Sequence, residues 1–331
     1  MKIVACRVPL RISFAGGGTD VEPFVSRYGS AVIATTINLY VESKLTANSS
    51  QGVRIHSIDT KKNFYISEGQ PDSSLLDSIL TACLTKIPPN KRTGFTLEVF
   101  SPVPARSGLG ASSAIILSIL GALYCHLEIA FNSVSIAIDA YEIERNLLQI
   151  PCGCQDQHVC ATGGINRFDF RNYRDLSYSK LELSEISAKN FEESTLLVWT
   201  GISRNSDLLI VDIERQNTEA LMKQKDLVED VIKFISDEDF LSLGRILNQA
   251  WKLKRSVTDL ISNPKIDYIY ELGLRNGAIG GKLLGAGGGG FFFFVAAPKD
   301  VKKLKSVFQS EKLLVYPFKI SRSGIEITKN E

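Results

Sequence analysis

Three glycine-rich clusters and a handful of carboxylates are the places where this chain's residue types could do chemistry. Ala15-Gly16-Gly17-Gly18-Thr19-Asp20 follows an apolar N-terminal stretch. Residues 104–114, PARSGLGASSA, open a run of small and aliphatic residues, and Gly285–Gly290 (GAGGGG) lies between two apolar segments. Glycine lets a backbone approach an anion closely and adopt φ > 0. Ser112 and Ser113 stand where a helix would begin, so hydroxyls and free N–H groups converge there. The helix terminus adds roughly half a positive charge. The second cluster therefore suits a phosphate, and a serine-capped glycine turn is the alternative that these residues leave open. The third cluster matches G-x-G-x-x-G at Gly285, Gly287 and Gly290. A dinucleotide fingerprint must open a helix, whereas Phe291–Val295 reads as a strand. No cluster ends in the Lys-Ser/Thr of a Walker loop.

Asp156 stands in Pro151-Cys-Gly-Cys-Gln-Asp-Gln, at the start of a short helix, and Glu144 on the helix before it. Phosphoryl transfer needs a carboxylate near the acceptor hydroxyl and oxygen ligands for Mg²⁺. Both residues meet that need, as would a surface Asp and Glu. Asp20 in its glycine turn is equally a turn residue. Cys152, Cys154 and Cys160 cluster near His158, but no second Cys/His pair stands at zinc spacing, so they read as packing thiols. His56 and His126 are isolated and read as structural.

The elements that must position these residues are mixed. Lys2–Phe14, Ser30–Ala47, Val53–His56, Asn63–Ile66, Phe95–Phe100 and Gly163–Phe170 read as strands. Helices are expected at Ser74–Ile87, at Ser112–His126 (buried nearly all round) and at Ser133–Leu148. The last would bury Ile136, Ala140, Ile143 and Leu147 on one face. A second block from Leu176 contains a strand at Thr195–Thr200 and helices at about Ser206–Ile235, Asp237–Leu260 and Ile266–Asn276. It continues with strands at Ala278–Leu284 and Phe291–Ala296, a helix at Asp300–Gln309, and two short strands in Lys312–Ile327. Without a regular βαβ rhythm this is an α+β protein in two lobes, divided as 1–175 and 176–331.

The 331 residues suit two domains, and 44% hydrophobic with 22% charged residues is ordinary for a globular chain. A net charge of +2 argues against a general nucleic-acid or membrane-surface binder. It leaves room for an anionic small substrate, which needs only local cations. The apolar run Leu283–Pro298 is too short to span a bilayer and carries five glycines. Arg7, Pro9 and Arg11 interrupt the N-terminus, so no secretory core is read there and a cytoplasmic location is the default.

Taken in order, Pro9 to Asp20, Pro104 to Ala114 and Lys282 to Gly290 resemble the three motifs of the GHMP small-molecule kinases. GGGTD, GCQDQ around Asp156, Thr200-Gly-Ile-Ser-Arg204 and Trp251-x-Leu-Lys254 are most similar to the branch holding heptose 7-phosphate kinases and L-fucokinase. The resemblance implies a ribosomal-protein-S5-like N-terminal domain, a ferredoxin-like C-terminal domain, and an active site in the cleft between them. It implies ATP and Mg²⁺ as cofactors and phosphorylation of an anomeric hydroxyl, that of D-glycero-D-manno-heptose 7-phosphate, on the way to a nucleotide-activated heptose for surface polysaccharide. L-Fucose, galactose or another small alcohol is the alternative acceptor. A non-catalytic regulator that kept the ATP site is the alternative from another class. By the same resemblance Asp156 is the catalytic carboxylate and Arg11 its cationic partner. Gly108, Leu109, Gly110, Ala111, Ser112, Ser113 and Gly287 surround the nucleotide phosphates. Ser113 and Glu144 hold the metal. Gly18, Thr19, Asp20 and Gly153 meet the sugar, and Arg106 and Arg204 are candidates for the substrate's own phosphate. Small molecules are then the partners, with no nucleic acid or membrane, and a homodimer is open to the chain.

Overall fold

The computed structural model describes residues 2–48, 53–58, 62–66, 75–88, 94–104, 106–203 and 218–330. The chain opens with β1 (Ile3–Ala15), passes through α1 (Phe24–Tyr28) and returns as β2 (Ser30–Ala47). These two strands are antiparallel from Ile3↔Thr46 to Ala15↔Ile33, with register shifts at Pro9/Leu10 and Ser13/Ala15. β3 (Val53–Ser57), β4 (Lys62–Ile66), α2 (Leu75–Thr85) and β5 (Phe95–Phe100) follow, then α3 (Ala111–His126) and α4 (Ser133–Tyr141). A π-helical turn (Glu142–Leu147) leads to α5 (Gln155–Thr162), β6 (Ile165–Phe170), β7 (Leu176–Leu181) and α6 (Glu185–Glu193). The rest comprises β8 (Thr195–Trp199), α7 (Thr218–Ser236), α8 (Phe240–Arg255), a short 3₁₀ turn (Asp259–Ile261), α9 (Pro264–Arg275), β9 (Ala278–Leu283), β10 (Phe291–Ala296), α10 (Pro298–Ser310), β11 (Leu314–Tyr316) and β12 (Glu326–Asn330).

Among the described residues the strands form two sheets. The larger has the order β12-β1-β2-β5-β3-β4, with β6 on β2 and β7 on β6. One strand, β2, carries both branches: Ser30–Thr35 pairs with β6 and Glu42–Ala47 with β5. The smaller sheet has the order β11-β8-β10-β9, all antiparallel. Numbered within the lobe this is 4-1-3-2, with helices after its first and third strands, which is the ferredoxin-like arrangement. Both lobes are thus α+β, as expected. The sheets divide the chain differently from the 175/176 boundary, however. β7 and β12 both lie beyond residue 175 and both pair in the larger sheet.

β1 and β2 are rich in Val, Ile and Leu on the face that α3 covers, and α3 buries residues around its whole circumference. β10 shows why two lobes act as one body. Its side chains alternate across the strand: Phe291 and Phe293 join the core of β1 and α3, while Phe292 and Phe294 pack with Trp251 and Tyr270. The Phe293 and Phe14 ring centroids are 5.7 Å apart across the junction. Each fully buried phenylalanine contributes about 1.5–3 kcal/mol, so Phe291 and Phe293 fasten the lobes together while Phe292 and Phe294 hold the core on the strand's other face. No helix among the described residues is long and apolar enough to cross a membrane.

Candidate active site

The first glycine loop, β1, α3 and α5 on one side and α8 with the β9–β10 loop on the other enclose a cavity of about 430 Å³. Arg11, Asp20, Glu144, Asp156, Lys254 and Lys282 are on its wall. β1 delivers Arg11, beside the register shift at Pro9/Leu10, and such an irregularity re-aims neighbouring side chains. The Arg11 N–H donates to the Leu109 carbonyl at 3.0 Å, tying the strand to the second glycine loop. Its guanidinium donates from Nε to Asp156 Oδ1 at 2.8 Å, from Nη2 to Oδ2 at 2.6 Å, and from Nη1 to the Gly108 carbonyl. This two-point fork fixes the plane of the carboxylate. The Arg11 side chain is 4% exposed and that of Asp156 25%, so the carboxylate is the member presented to the cavity.

α5 brings Asp156 to its first turn and also explains Asp20. Cys154 supplies no side-chain cap to this helix; Asp20 does so from across the loop. Its Oδ2 accepts from the Gln155 N–H at 3.0 Å, and its Oδ1 from Gln155 Nε2 and the Gly18 N–H, both at 3.1 Å. Burial, reinforced by the Asp156 charge, pushes the Asp20 carboxyl up to about 6, against the pull of these donors. Gly153 is required by the same contact: a Cβ there would stand 2.0 Å from Asp20 Oδ2.

Glu144 enters through the π-helical turn. The Leu148 N–H bonds to the Ile143 carbonyl five residues back, at 2.9 Å, and such wide turns re-aim side chains at functional positions. The regular helix expected over 133–148 is corrected accordingly. Leu147, expected on the buried face, is 51% exposed, while Glu144 turns inward. Glu144 Oε2 accepts from Ser113 Oγ at 2.7 Å and Gln157 Nε2 at 2.8 Å. Burial raises the Glu144 carboxyl, and hydrogen bonds from Ser112, Ser113 and Gln157 oppose the rise.

The second glycine loop rests on the third. Gly108 has φ +82°, and a Cβ there would lie 2.6 Å from the Leu284 carbonyl. The Phe291 N–H donates to the Ser107 carbonyl at 3.0 Å. α3 then starts at Ala111 without a side-chain cap, its N-terminus turned to the cavity. An uncapped helix start offers N–H donors to an anion.

Of the residues singled out from sequence, Gly18, Asp20, Arg106, Gly108, Gly110, Ala111, Ser112, Ser113, Glu144, Gly153, Asp156 and Gly287 line the cavity together with Arg11. Leu109 and Thr19 do not. The Leu109 side chain is in the core, and its carbonyl serves Arg11. The Thr19 hydroxyl donates to the Gly16 carbonyl at 2.7 Å and meets Ser30 Oγ at 2.6 Å, so it shapes the loop from behind. Arg106 is exposed at the rim, with φ +59°. Arg204 lies outside the described residues.

Two cavity residues were not picked from sequence. Lys282 Nζ donates to the Phe14 carbonyl at 3.0 Å, and burial, then the nearby Arg11 charge, brings its ammonium down to about 7. Lys254 Nζ donates to the carbonyls of Leu283, at 2.9 Å, and Gly285. Burial, with Lys282 and Arg11 close by, holds it well below the usual lysine value. The available signal was a lysine inside W-K-L-K and another inside G-G-K-L-L, apolar or glycine-rich settings that a lysine seldom occupies without a reason.

An arginine-held carboxylate, an uncapped helix start and a hydroxyl–carboxylate pair share one cavity. These are the parts from which phosphoryl transfer is built. Comparison with known proteins agrees. Residues 75–164 match the family model for the GHMP kinases N terminal domain, and residues 227–312 that for GHMP kinases C terminal. The D-glycero-alpha-D-manno-heptose 7-phosphate kinase of Campylobacter jejuni is 32% identical, over 98% of this chain and 99% of that protein. A crystal structure of a D-glycero-D-manno-heptose 1-phosphate kinase from Bacteroides thetaiotaomicron superposes with a TM-score of 0.82 at 26% identity, covering 99% of each chain. Another crystal structure, from Campylobacter jejuni, gives a TM-score of 0.81 at 30% identity, over 100% of this chain and 99% of that one. With motifs, topology and both family models in agreement, the chain belongs to the GHMP kinases.

Proposed function

We propose that this protein is an ATP- and Mg²⁺-dependent sugar kinase that phosphorylates the anomeric hydroxyl of D-glycero-D-manno-heptose 7-phosphate to give the 1,7-bisphosphate. The observation that carries a kinase reading is the Arg11–Asp156 fork, set against the Gly108 carbonyl beside the uncapped start of α3. Support for the acceptor is the relative of that name at 32% identity. In this reading the acceptor oxygen attacks the γ-phosphorus, the bond to the β–γ bridging oxygen breaks, ADP leaves, and the hydroxyl proton passes to Asp156. Arg11 keeps the Asp156 plane fixed and offsets charge on the transferring group. Residues 108–113 offer backbone donors to the phosphates, and Asp20 with Gly18 meets the sugar.

The structure supports a place for Mg²⁺. Mg²⁺ takes one or two protein oxygens and completes its shell with phosphate and water. The Ser113 hydroxyl and Glu144 carboxylate, joined at 2.7 Å, are such a hard-oxygen pair and would hold it. When bound, the ion neutralises charge on the β- and γ-phosphates.

An ADP-release assay over heptose 7-phosphate, the unphosphorylated heptose, L-fucose and galactose, with the phosphorylated position read by ³¹P NMR, tests the proposal. Turnover of the heptose 7-phosphate at C1 is expected. Preferred turnover of free fucose, or transfer to another position, would overturn the acceptor while leaving the family membership standing.

A further inference from the structure

Resting on the reading in which Asp20 and Gly18 meet the sugar, we infer that the space over Gly17 seats a hydroxyl of the acceptor, held by Ser13 and Gln155, and that these three residues set which acceptor fits. The three glycines of the first loop have different reasons to be glycine. Gly16 and Gly18 have φ +79° and +94°, a backbone that side chains disfavour. A Cβ on Gly16 would also stand 1.9 Å from the Ala31 carbonyl oxygen. Gly17 is outside the left-handed region. Among the described residues a Cβ there would meet only Ser13 Oγ at 3.4 Å and Gln155 Nε2 at 3.5 Å, both ordinary contacts. The protein's own backbone and packing would therefore accept a side chain at Gly17. What that side chain would fill is part of the cavity, whose wall includes Ser13, Gly17 and Gln155.

The two groups that face this space have bonding capacity to spare. Ser13 is 5% exposed and Gln155 9%. Among the described residues the Ser13 hydroxyl and Gln155 Oε1 make no hydrogen bond. Gln155 Nε2 gives one N–H to Asp20 Oδ1 at 3.1 Å, and an amide nitrogen has two. Buried polar groups are costly unless something bonds them. A hydroxyl both donates and accepts, so one sugar hydroxyl answers Ser13 and the Gln155 amide together. An acceptor with a bare carbon in this space leaves both unanswered, which is the source of discrimination.

The space lies on the acceptor side of Asp156. Gln155 is tied to Asp20 in the first loop, whereas Asp156, next in sequence, is tied through Arg11 to the Gly108 carbonyl of the second. The atoms nearest the Cβ positions of Gly16, Gly17 and Gly18 belong to Ser13, Ala31, Val32, Gln155 and Leu221. None of these is in the second or third glycine loop.

The test measures KM for D-glycero-D-manno-heptose 7-phosphate and for ATP in the full-length parent, Gly17→Ala, Ser13→Ala and the double variant, with a thermal melt of each. Gly17→Ala should melt no lower than the parent, since a compatible Gly→Ala change restricts the unfolded chain. Its methyl displaces the hydroxyl, so KM for the acceptor should rise about 10–100-fold while KM for ATP stays within about threefold. Ser13→Ala removes one neutral hydrogen bond and should raise the acceptor KM about 3–10-fold. The two effects should not multiply: in the Gly17→Ala background Ser13→Ala should change KM by less than about twofold, because the hydroxyl has already gone. A lower melt in Gly17→Ala would show that the protein itself needs the glycine and overturn the inference. An unchanged acceptor KM, a larger effect on ATP, or losses that multiply would overturn it too. Asp20→Asn separates this outcome from the reading beneath it: if it raises the acceptor KM and Gly17→Ala does not, the acceptor reading stands and the inference falls. A parent protein that turns over no sugar overturns both.

Discussion

Asp156 and Asp20 sit at the N-terminal turn of one helix with different tasks set by their partners. Asp156 is clamped by Arg11 and partly open to the cavity; Asp20 is buried and holds α5 through Gln155. Replacing Asp156 by Asn keeps the shape and removes the proton acceptor. A fall in kcat of about 10²–10⁴-fold is expected, with the sugar KM nearly unchanged, as read by steady-state kinetics. Near-normal turnover would remove Asp156 from the reaction. For Asp20 the sign of the pH effect follows from its raised carboxyl, about 6 against an ordinary 3.8. The folded state binds this proton more tightly than the unfolded one, so the associated stability is present below about pH 4 and is lost as pH rises through about 6. Acceptor binding runs the other way, because only the ionised carboxylate accepts sugar hydroxyls without competition. kcat/KM for the sugar should therefore fall as pH drops below about 6, and Asp20→Asn should abolish that limb in a pH–rate profile. These residues were legible in the sequence because glycine, serine and carboxylate stand together in short motifs. Lys254 and Lys282 were not, since burial of a lysine depends on helices and strands far away in the chain.

At the scale of elements, strands β2, β5 and β10 and helix α3 follow directly from their residue patterns, and their ends agree with the sequence reading to within a residue. The π-helical turn did not, because a 3.6-residue period presumes a regular helix and one widened turn rotates everything after it. α1, with five residues, and α6, with nine, are too short for a persistent apolar period. The glycine loops show how an element depends on its neighbour. Gly108 has a left-handed backbone and rests against the Leu284 carbonyl, so Gly108→Ala meets both strain and a clash. A loss of about 1–3 kcal/mol is expected, seen as a Tm lower by about 2–6 °C. The KM for ATP should rise more than the KM for sugar, since the displaced loop lies on the phosphate side. An unchanged ATP KM, measured beside the melt, would show that the loop tolerates the shift without moving its donors.

The whole molecule depends on pairings that no local pattern announces. β12, the last strand, returns to the first: Ile3↔Asn330 through Arg7↔Glu326, with Arg7 Nε donating to Glu326 Oε2 at 2.7 Å. Just before it, the Ser321 carbonyl accepts from Thr36 Oγ1 at 2.8 Å and from the Gly164 N–H at 2.9 Å. The C-terminal segment thereby closes the edge of the larger sheet, although the helices and the second sheet intervene in sequence. The ladder of β12 on β1 stops at Arg7, however. Arg11 lies outside that ladder: it pairs with Thr36 on β2, which Ser321 ahead of β12 also holds, and its N–H donates to the Leu109 carbonyl. Stability and catalysis are thus divided along one strand. Removing residues 325–331 should expose the β1 edge and cost about 2–4 kcal/mol, from several ladder hydrogen bonds at about 0.5–1.5 kcal/mol each. The expected readout is a Tm lower by several degrees. Well below that Tm, kcat should remain within about threefold of the full chain, because the Arg11–Asp156 fork has its own supports. A truncated protein that melts as one cooperative unit yet has lost its turnover would show instead that β12 aligns β1 along its whole length, Arg11 included.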